Sequence, residues 1–93
     1  MFKVVMVKWE DPCFSADGWL PTQDFYEWVK EPPPETITIG VLVHEEKSFI
    51  VISQSFGERQ IADSVKITKS AIKECTEIAR IPLSIEIPAA FNK

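Results

Sequence analysis

Aromatic residues crowd the first third of the chain, and they are the residue type best suited to binding chemistry here. The three tryptophans of this 93-residue chain all lie within its first 28 positions. Tryptophan and tyrosine are enriched at the energetic centres of protein interfaces, because they bury a large area and still offer a polar group. The candidate partner-binding residues are Trp9, Asp11, Trp19, Tyr26 and Trp28. The alternative is that these aromatics form a small core beneath a long loop.

Within this set, Trp19 is the first residue to test. It follows Gly18 in a turn-forming stretch, whereas Trp9 and Trp28 fall on elements with an evident buried side. A glycine that can adopt positive φ lets the next side chain point outward. The acidic residues interleaved with these aromatics favour a protein or cationic partner over a nucleic acid.

A second candidate surface is a basic strip in the second half of the chain. The chain carries 10 Lys and Arg against 14 Asp and Glu, for a net charge of −4. The first 46 residues sum to −6 and the remaining 47 to +2. Because phosphate neutralisation supplies most nucleic-acid affinity, this balance disfavours a nucleic-acid or nucleotide binder and leaves it as the alternative. The strip consists of Arg59, Lys66, Lys69 and Lys73.

Catalytic and metal chemistry find little support in the sequence. Cys13 and Cys75 are far apart and lack CxxC spacing, and His44 is the single histidine. A nucleophilic cysteine would need His44 as its base, which is a weak basis for catalysis. No phosphate-binding, dinucleotide-binding or hydrolase motif is found. We therefore predict no enzyme activity, no metal and no cofactor.

The sequence predicts a cytoplasmic protein with two reduced thiols. The amino-terminal residues lack the pattern of a signal peptide, and no apolar run approaches the roughly 20 residues that span a bilayer. We expect no membrane association. Free thiols follow from the compartment, and Cys75, among apolar positions, is expected in the core.

Hydrophobic periodicity predicts a mainly β domain with one short helix. Over 22–30, Phe25, Trp28 and Val29 fall on one helical face, with Thr22 as N-cap and a proline triplet beyond. Gly40 suggests a bulge or sharp bend. The predicted strands cover 2–9, 36–44, 48–55, 60–68 and 73–78, with a short turn at 69–72.

These elements outline a five-stranded SH3-like or Sm-like small barrel, with the helix in the connection between strands one and two. We expect the barrel to occupy 1–79 and a carboxy-terminal extension, either an edge strand or flexible, to occupy 80–93. A homo-oligomer is a further option.

The sequence also resembles small bacteriophage and prophage proteins of unknown function. The matching segments are Val7–Trp9–Asp11, Gly18–Trp19, Gly40–Glu45, Ile52–Ser55 and Ile67–Ile72. The resemblance implies a phage origin, residence in the host cytoplasm and a strand-rich fold, and it implies no activity. Combined with the charge, it predicts a non-enzymatic interaction module that modulates a host or phage protein or host defence.

Overall fold

The computed structural model describes residues 1–11 and 18–85. They form five strands, one α-helix and one 3₁₀ turn, so the prediction of a mainly β domain with a short helix is confirmed. In chain order the elements are β1 (Phe2–Glu10), α1 (Thr22–Lys30), β2 (Glu35–Glu45), β3 (Phe49–Phe56), β4 (Ile61–Thr68), the 3₁₀ turn (Lys69–Ala71) and β5 (Ile72–Ile81).

The five strands form one antiparallel sheet in the order β4-β3-β2-β1-β5. The predicted closed barrel is wrong, because the edge strands β4 and β5 do not pair with each other in the described part of the chain. The 3₁₀ turn joins the two edge strands, which lie on opposite edges of the sheet. β4 reaches it with Thr68 opposite Phe49 on β3, and β5 leaves it with Ile72 opposite Trp9 on β1. The two edges therefore meet only at this turn.

The main buried cluster lies on one face of the sheet and is entirely aliphatic, and Val41 and Ser53 are buried on the opposite face. Val7 and Ile52 are fully buried within the main cluster. Trp9 packs at the margin, and its Nε1 donates a hydrogen bond to Thr38 Oγ1 at 3.0 Å. Burial of each large aliphatic side chain contributes about 1.5–3 kcal/mol. The buried cluster comprises Val5, Val7, Ile50, Ile52 and Ile67.

Gly40 allows β2 and β3 to approach each other closely. A Cβ at this position would lie 2.6 Å from Ile52 Cγ2 and 2.9 Å from the carbonyl oxygen of Ser53. The register shift between β2 and β3 falls further along, between Leu42 and His44. The expected irregularity in β2 is therefore present, but Gly40 is required for packing and is not itself the bulge.

The last strand is longer and more exposed than predicted. β5 continues to Ile81, past the expected domain end at 79, and residues 86–93 of the expected extension lie outside the described residues. Cys75 is exposed, so its predicted place in the core is wrong. The reason is the open sheet, which leaves β5 as an edge with nearly all its residues exposed.

Candidate functional site: an exposed aromatic surface

The helix α1 has the predicted bounds but buries none of its residues. Phe25 and Val29 on its apolar face remain 43% and 53% exposed. The extensive packing between elements of the described chain is all between strands. A nine-residue helix is too short to be stable alone in water. An apolar face left in solvent on such a helix is a surface suited to a partner.

Local sequence sets where α1 begins and ends. Pro21 takes the N-cap position, and the backbone amide of Phe25 donates to its carbonyl oxygen at 3.0 Å. Thr22, predicted as the N-cap, is instead the first helical residue, because the carbonyl of Pro21 already accepts the first hydrogen bond of the helix. At the other end Glu31 is extended, as expected for a residue before proline.

Trp19 is the most exposed large apolar side chain of the described residues. It is 96% exposed. Gly18 before it has a φ of +70°, which confirms that this glycine takes the left-handed conformation expected from the sequence. The turn therefore directs an indole ring into solvent just before α1 begins.

Trp19 and α1 enclose an open hollow of about 300 Å³. Two aromatic rings of the helix stand nearly perpendicular at its wall, since those of Phe25 and Tyr26 are 5.4 Å apart at 74°. The ring of Trp28 lies 6.2 Å from that of Phe25 and extends the apolar face. We name the set Trp19, Phe25, Tyr26 and Trp28 the aromatic surface. The hollow is lined by Gly18, Trp19, Leu20, Thr22, Phe25 and Tyr26.

The structure brings together three of the five predicted partner-binding residues and separates two. Trp19, Tyr26 and Trp28 belong to the aromatic surface. Trp9 instead packs against the core, and Asp11 follows β1, where its backbone amide donates to the carbonyl oxygen of Pro34 at 3.1 Å. β1 determines both positions, because it places Trp9 on the core side of the sheet and ends just before Asp11.

Phe25 is the residue that the sequence interpretation left out of the site. It lines the hollow and contacts both Tyr26 and Trp28. Its helical spacing from Trp28 was visible in the sequence, but that spacing was interpreted as a buried face. Without the structure, nothing distinguishes an apolar helical face that packs on a sheet from one that does not.

The charges on α1 are mainly acidic. Asp24 lies in its first turn and Lys30 in its last. Glu27 accepts a hydrogen bond from the Gln23 side chain at 3.2 Å, one turn away. Two carboxylates therefore accompany a single ammonium group along the helix.

The predicted basic strip is broken up by ion pairs. Lys69 Nζ lies 2.8 Å from Glu45, and Lys73 Nζ lies 3.1 Å from Glu10 and 3.5 Å from Glu35. Hydrogen bonding to Glu10 raises the pKa of Lys73, and Lys69 lowers the pKa of Glu45. The ammonium groups of both lysines are thus matched by carboxylates of β1 and β2.

The other two members of the strip are also dispersed. Lys66 on β4 places its ammonium 5.8 Å from the centre of the Phe49 ring. Arg59 lies in the exposed connection between β3 and β4. The four cations do not form one continuous positive surface.

A second hollow of about 320 Å³ lies between residues of β2, β3, the 3₁₀ turn and β5. Desolvation, followed by the charge of Glu45, raises the pKa of the Cys75 thiol, which disfavours the nucleophilic thiolate. Cys75 forms no disulfide and Cys13 lies outside the described residues, so the reduced state of both thiols stays a prediction. The second hollow is lined by Glu45, Ile50, Lys69, Ile72 and Cys75.

His44, the one histidine, sits at the end of β2. Its Nε2 lies 3.2 Å from a carboxylate oxygen of Glu46, and its ring is 6.2 Å from that of Phe49. Across residues 1–11 and 18–85, no group of three His, Cys, Asp or Glu side chains could hold a metal ion. Over the same ranges, α1 is the single α-helix, and its nine residues fall well short of a membrane span.

Comparison with protein-family models, with curated proteins and with solved structures finds no match to this chain. The phage origin expected from the sequence resemblance therefore stays a prediction, and the case for function depends on the geometry of the aromatic surface.

Proposed function

We propose that the protein is a non-enzymatic binding module whose aromatic surface docks on a partner protein. The single observation that carries this proposal is an indole ring, Trp19, left 96% exposed beside a helix that buries no residue. Exposing a tryptophan costs the free protein part of its hydrophobic stabilisation, and a partner that covers the ring recovers it. Tryptophan and tyrosine also dominate the residues whose truncation weakens interfaces most.

Charge supports a protein partner over a nucleic acid. The net charge is −4, and α1 carries two carboxylates against one ammonium group. Lys69 and Lys73 are already paired with carboxylates, so phosphate contacts would have to break these ion pairs. Affinity for random duplex DNA should then be no tighter than typical non-specific values, about 10⁻⁴–10⁻⁶ M.

The resemblance to small phage proteins suggests which partner to seek first. We expect a protein of the bacterial host or of the phage, met in the host cytoplasm, whose action the module modulates. This expectation is separate from the surface itself, which is argued from exposure and charge alone.

The test compares how much partner protein three forms of the tagged protein capture from a lysate of the bacterial host, with and without nuclease. The forms are the wild type, Trp19→Ala and the control Ile61→Ala, a substitution of another exposed apolar residue, on the edge strand β4. We expect the Trp19 variant to lose a specific protein by about thirtyfold and the control to retain it, because anchor truncation costs about 2 kcal/mol or more. Equal loss in both variants, or capture that nuclease abolishes, would refute the proposal.

A further inference from the structure

Half of the residues that line the hollow of the aromatic surface are aromatic. Three aromatic side chains line it, and no Lys or Arg does so among the described residues. An aromatic ring carries partial negative charge on its faces, so several rings around one space create a region that attracts a positive charge. Tryptophan is the strongest of the three aromatic types in this respect.

We propose that this hollow binds the cationic side chain of an arginine or lysine presented by the protein partner. The inference rests on the proposed function and specifies the chemistry of its central contact. Trp19, Phe25 and Tyr26 all line the hollow, and the rings of Phe25 and Tyr26 stand at 74° to each other. A cation held in the hollow would therefore contact more than one aromatic side chain.

The surrounding charges complement such a ligand. Asp24 and Glu27 lie on the same helix as Phe25 and Tyr26. Carboxylates near an aromatic hollow attract a basic segment over distances up to about 10 Å at moderate ionic strength. A carboxylate-bearing partner segment would meet the opposite field, which selects against it.

The same chain already contains an ammonium group over an aromatic ring. Lys66 Nζ lies 5.8 Å from the centre of the Phe49 ring, within the range in which this attraction acts. The Phe49 ring is therefore already in contact with a lysine of the same sheet. On α1 the one basic residue is Lys30, which does not line the hollow.

The experiment uses the full chain, labelled with ¹⁵N, and follows the tryptophan indole signals by NMR. The probe is an N-acetylated, C-amidated Gly-Arg-Gly peptide, and its matched control carries citrulline, which keeps the shape of arginine but has no charge. We expect the arginine peptide to shift the Trp19 indole signal and to bind roughly two- to fivefold more tightly than the citrulline peptide. Equal binding of the two peptides, or no shift of the Trp19 signal, would overturn the proposal.

Two variants and a third probe complete the test. Trp19→Leu keeps an apolar side chain but removes the ring, so it should abolish the preference for arginine; Ile61→Leu, at an exposed apolar position of β4 that does not line the hollow, should retain it. Choline tests a free small-molecule cation, and choline binding tighter than the arginine peptide would overturn the assignment to a partner's side chain. If the wild type binds the arginine and citrulline peptides equally but partner capture still depends on Trp19, this inference alone is refuted and the proposed function stands.

Discussion

Apolar side chains are buried in the sheet but exposed to solvent on and beside the helix. Ile52 at the centre of the sheet is fully buried, whereas Trp19 and Phe25 beside and on α1 are 96% and 43% exposed. The strands bury their aliphatic residues against one another, so the sheet needs no help from the helix. The difference teaches that amphipathic spacing identifies a face but not its partner. Here stability resides in the sheet, and the aromatic surface is available for binding.

The largest effect should come from truncating the centre of the core. Ile52→Ala removes a fully buried side chain, and we expect it to lower the free energy of unfolding by about 2–5 kcal/mol through lost transfer energy and a residual cavity. Urea unfolding followed by circular dichroism measures this. A loss below about 1 kcal/mol would contradict the assignment of stability to this side of the sheet.

A smaller loss of stability is expected at Gly40, where β2 and β3 approach each other closely. Gly40→Ala places a methyl group 2.9 Å from a backbone oxygen and 2.6 Å from Ile52 Cγ2, so we expect about 1–3 kcal/mol of destabilisation from overpacking. The matched control is Gly57→Ala, where the nearest atom is 3.4 Å away. Equal stability of the two variants in thermal unfolding would show that the close approach is not needed.

The polar contact of the core-facing tryptophan should be worth less again. Trp9→Phe keeps an aromatic ring but removes the hydrogen bond to Thr38 Oγ1, and we expect a loss of about 1 kcal/mol. Thr38→Val is the reciprocal variant, and a double-mutant cycle isolates the bond. Unchanged partner capture by the Trp9 variant would further separate Trp9 from the aromatic surface.

The smallest effect concerns pH and the ion pair between Glu45 and Lys69. Because Lys69 lowers the pKa of Glu45 below its ordinary 4.5, the folded state binds fewer protons than the unfolded state. The ion pair therefore stabilises the fold above that pH, and its contribution disappears as the pH falls through the lowered pKa. Both side chains are more than one-third exposed, so the contribution is under about 1 kcal/mol. Glu45→Gln should be slightly less stable than the wild type at pH 7 and should match it once the pH is below the lowered pKa of Glu45; a difference that grows in acid would contradict this.

Local patterns in the sequence predicted most elements because they depend on neighbouring residues. Alternation over 36–44 and the proline triplet after Lys30 identified β2 and the end of α1. Sheet closure depends on how far apart β4 and β5 run on either side of the 3₁₀ turn, which no local pattern encodes. The same limit explains Cys75, whose exposure follows from the open edge of β5.

The candidate site was predicted in part for similar reasons. The exposure of Trp19 could be predicted from Gly18, because a left-handed glycine acts on its immediate neighbour. Trp9 packs against the core and lies apart from Trp19, because its side of β1 becomes the core side once β2 and β3 pair with their neighbours. Phe25 was missed because its burial depends on whether α1 packs on the sheet.

The free energy of unfolding of Phe25→Ala tests the central claim most directly, that the aromatic surface is not part of the stabilising core. Phe25 lies at the middle of this surface, between Tyr26 and Trp28. We predict a loss of about 1 kcal/mol or less, the size of an exposed aromatic contact, compared with the much larger loss for Ile52→Ala. A loss of about 3–5 kcal/mol, typical of a buried phenylalanine, would show that α1 packs into the core and would contradict the account.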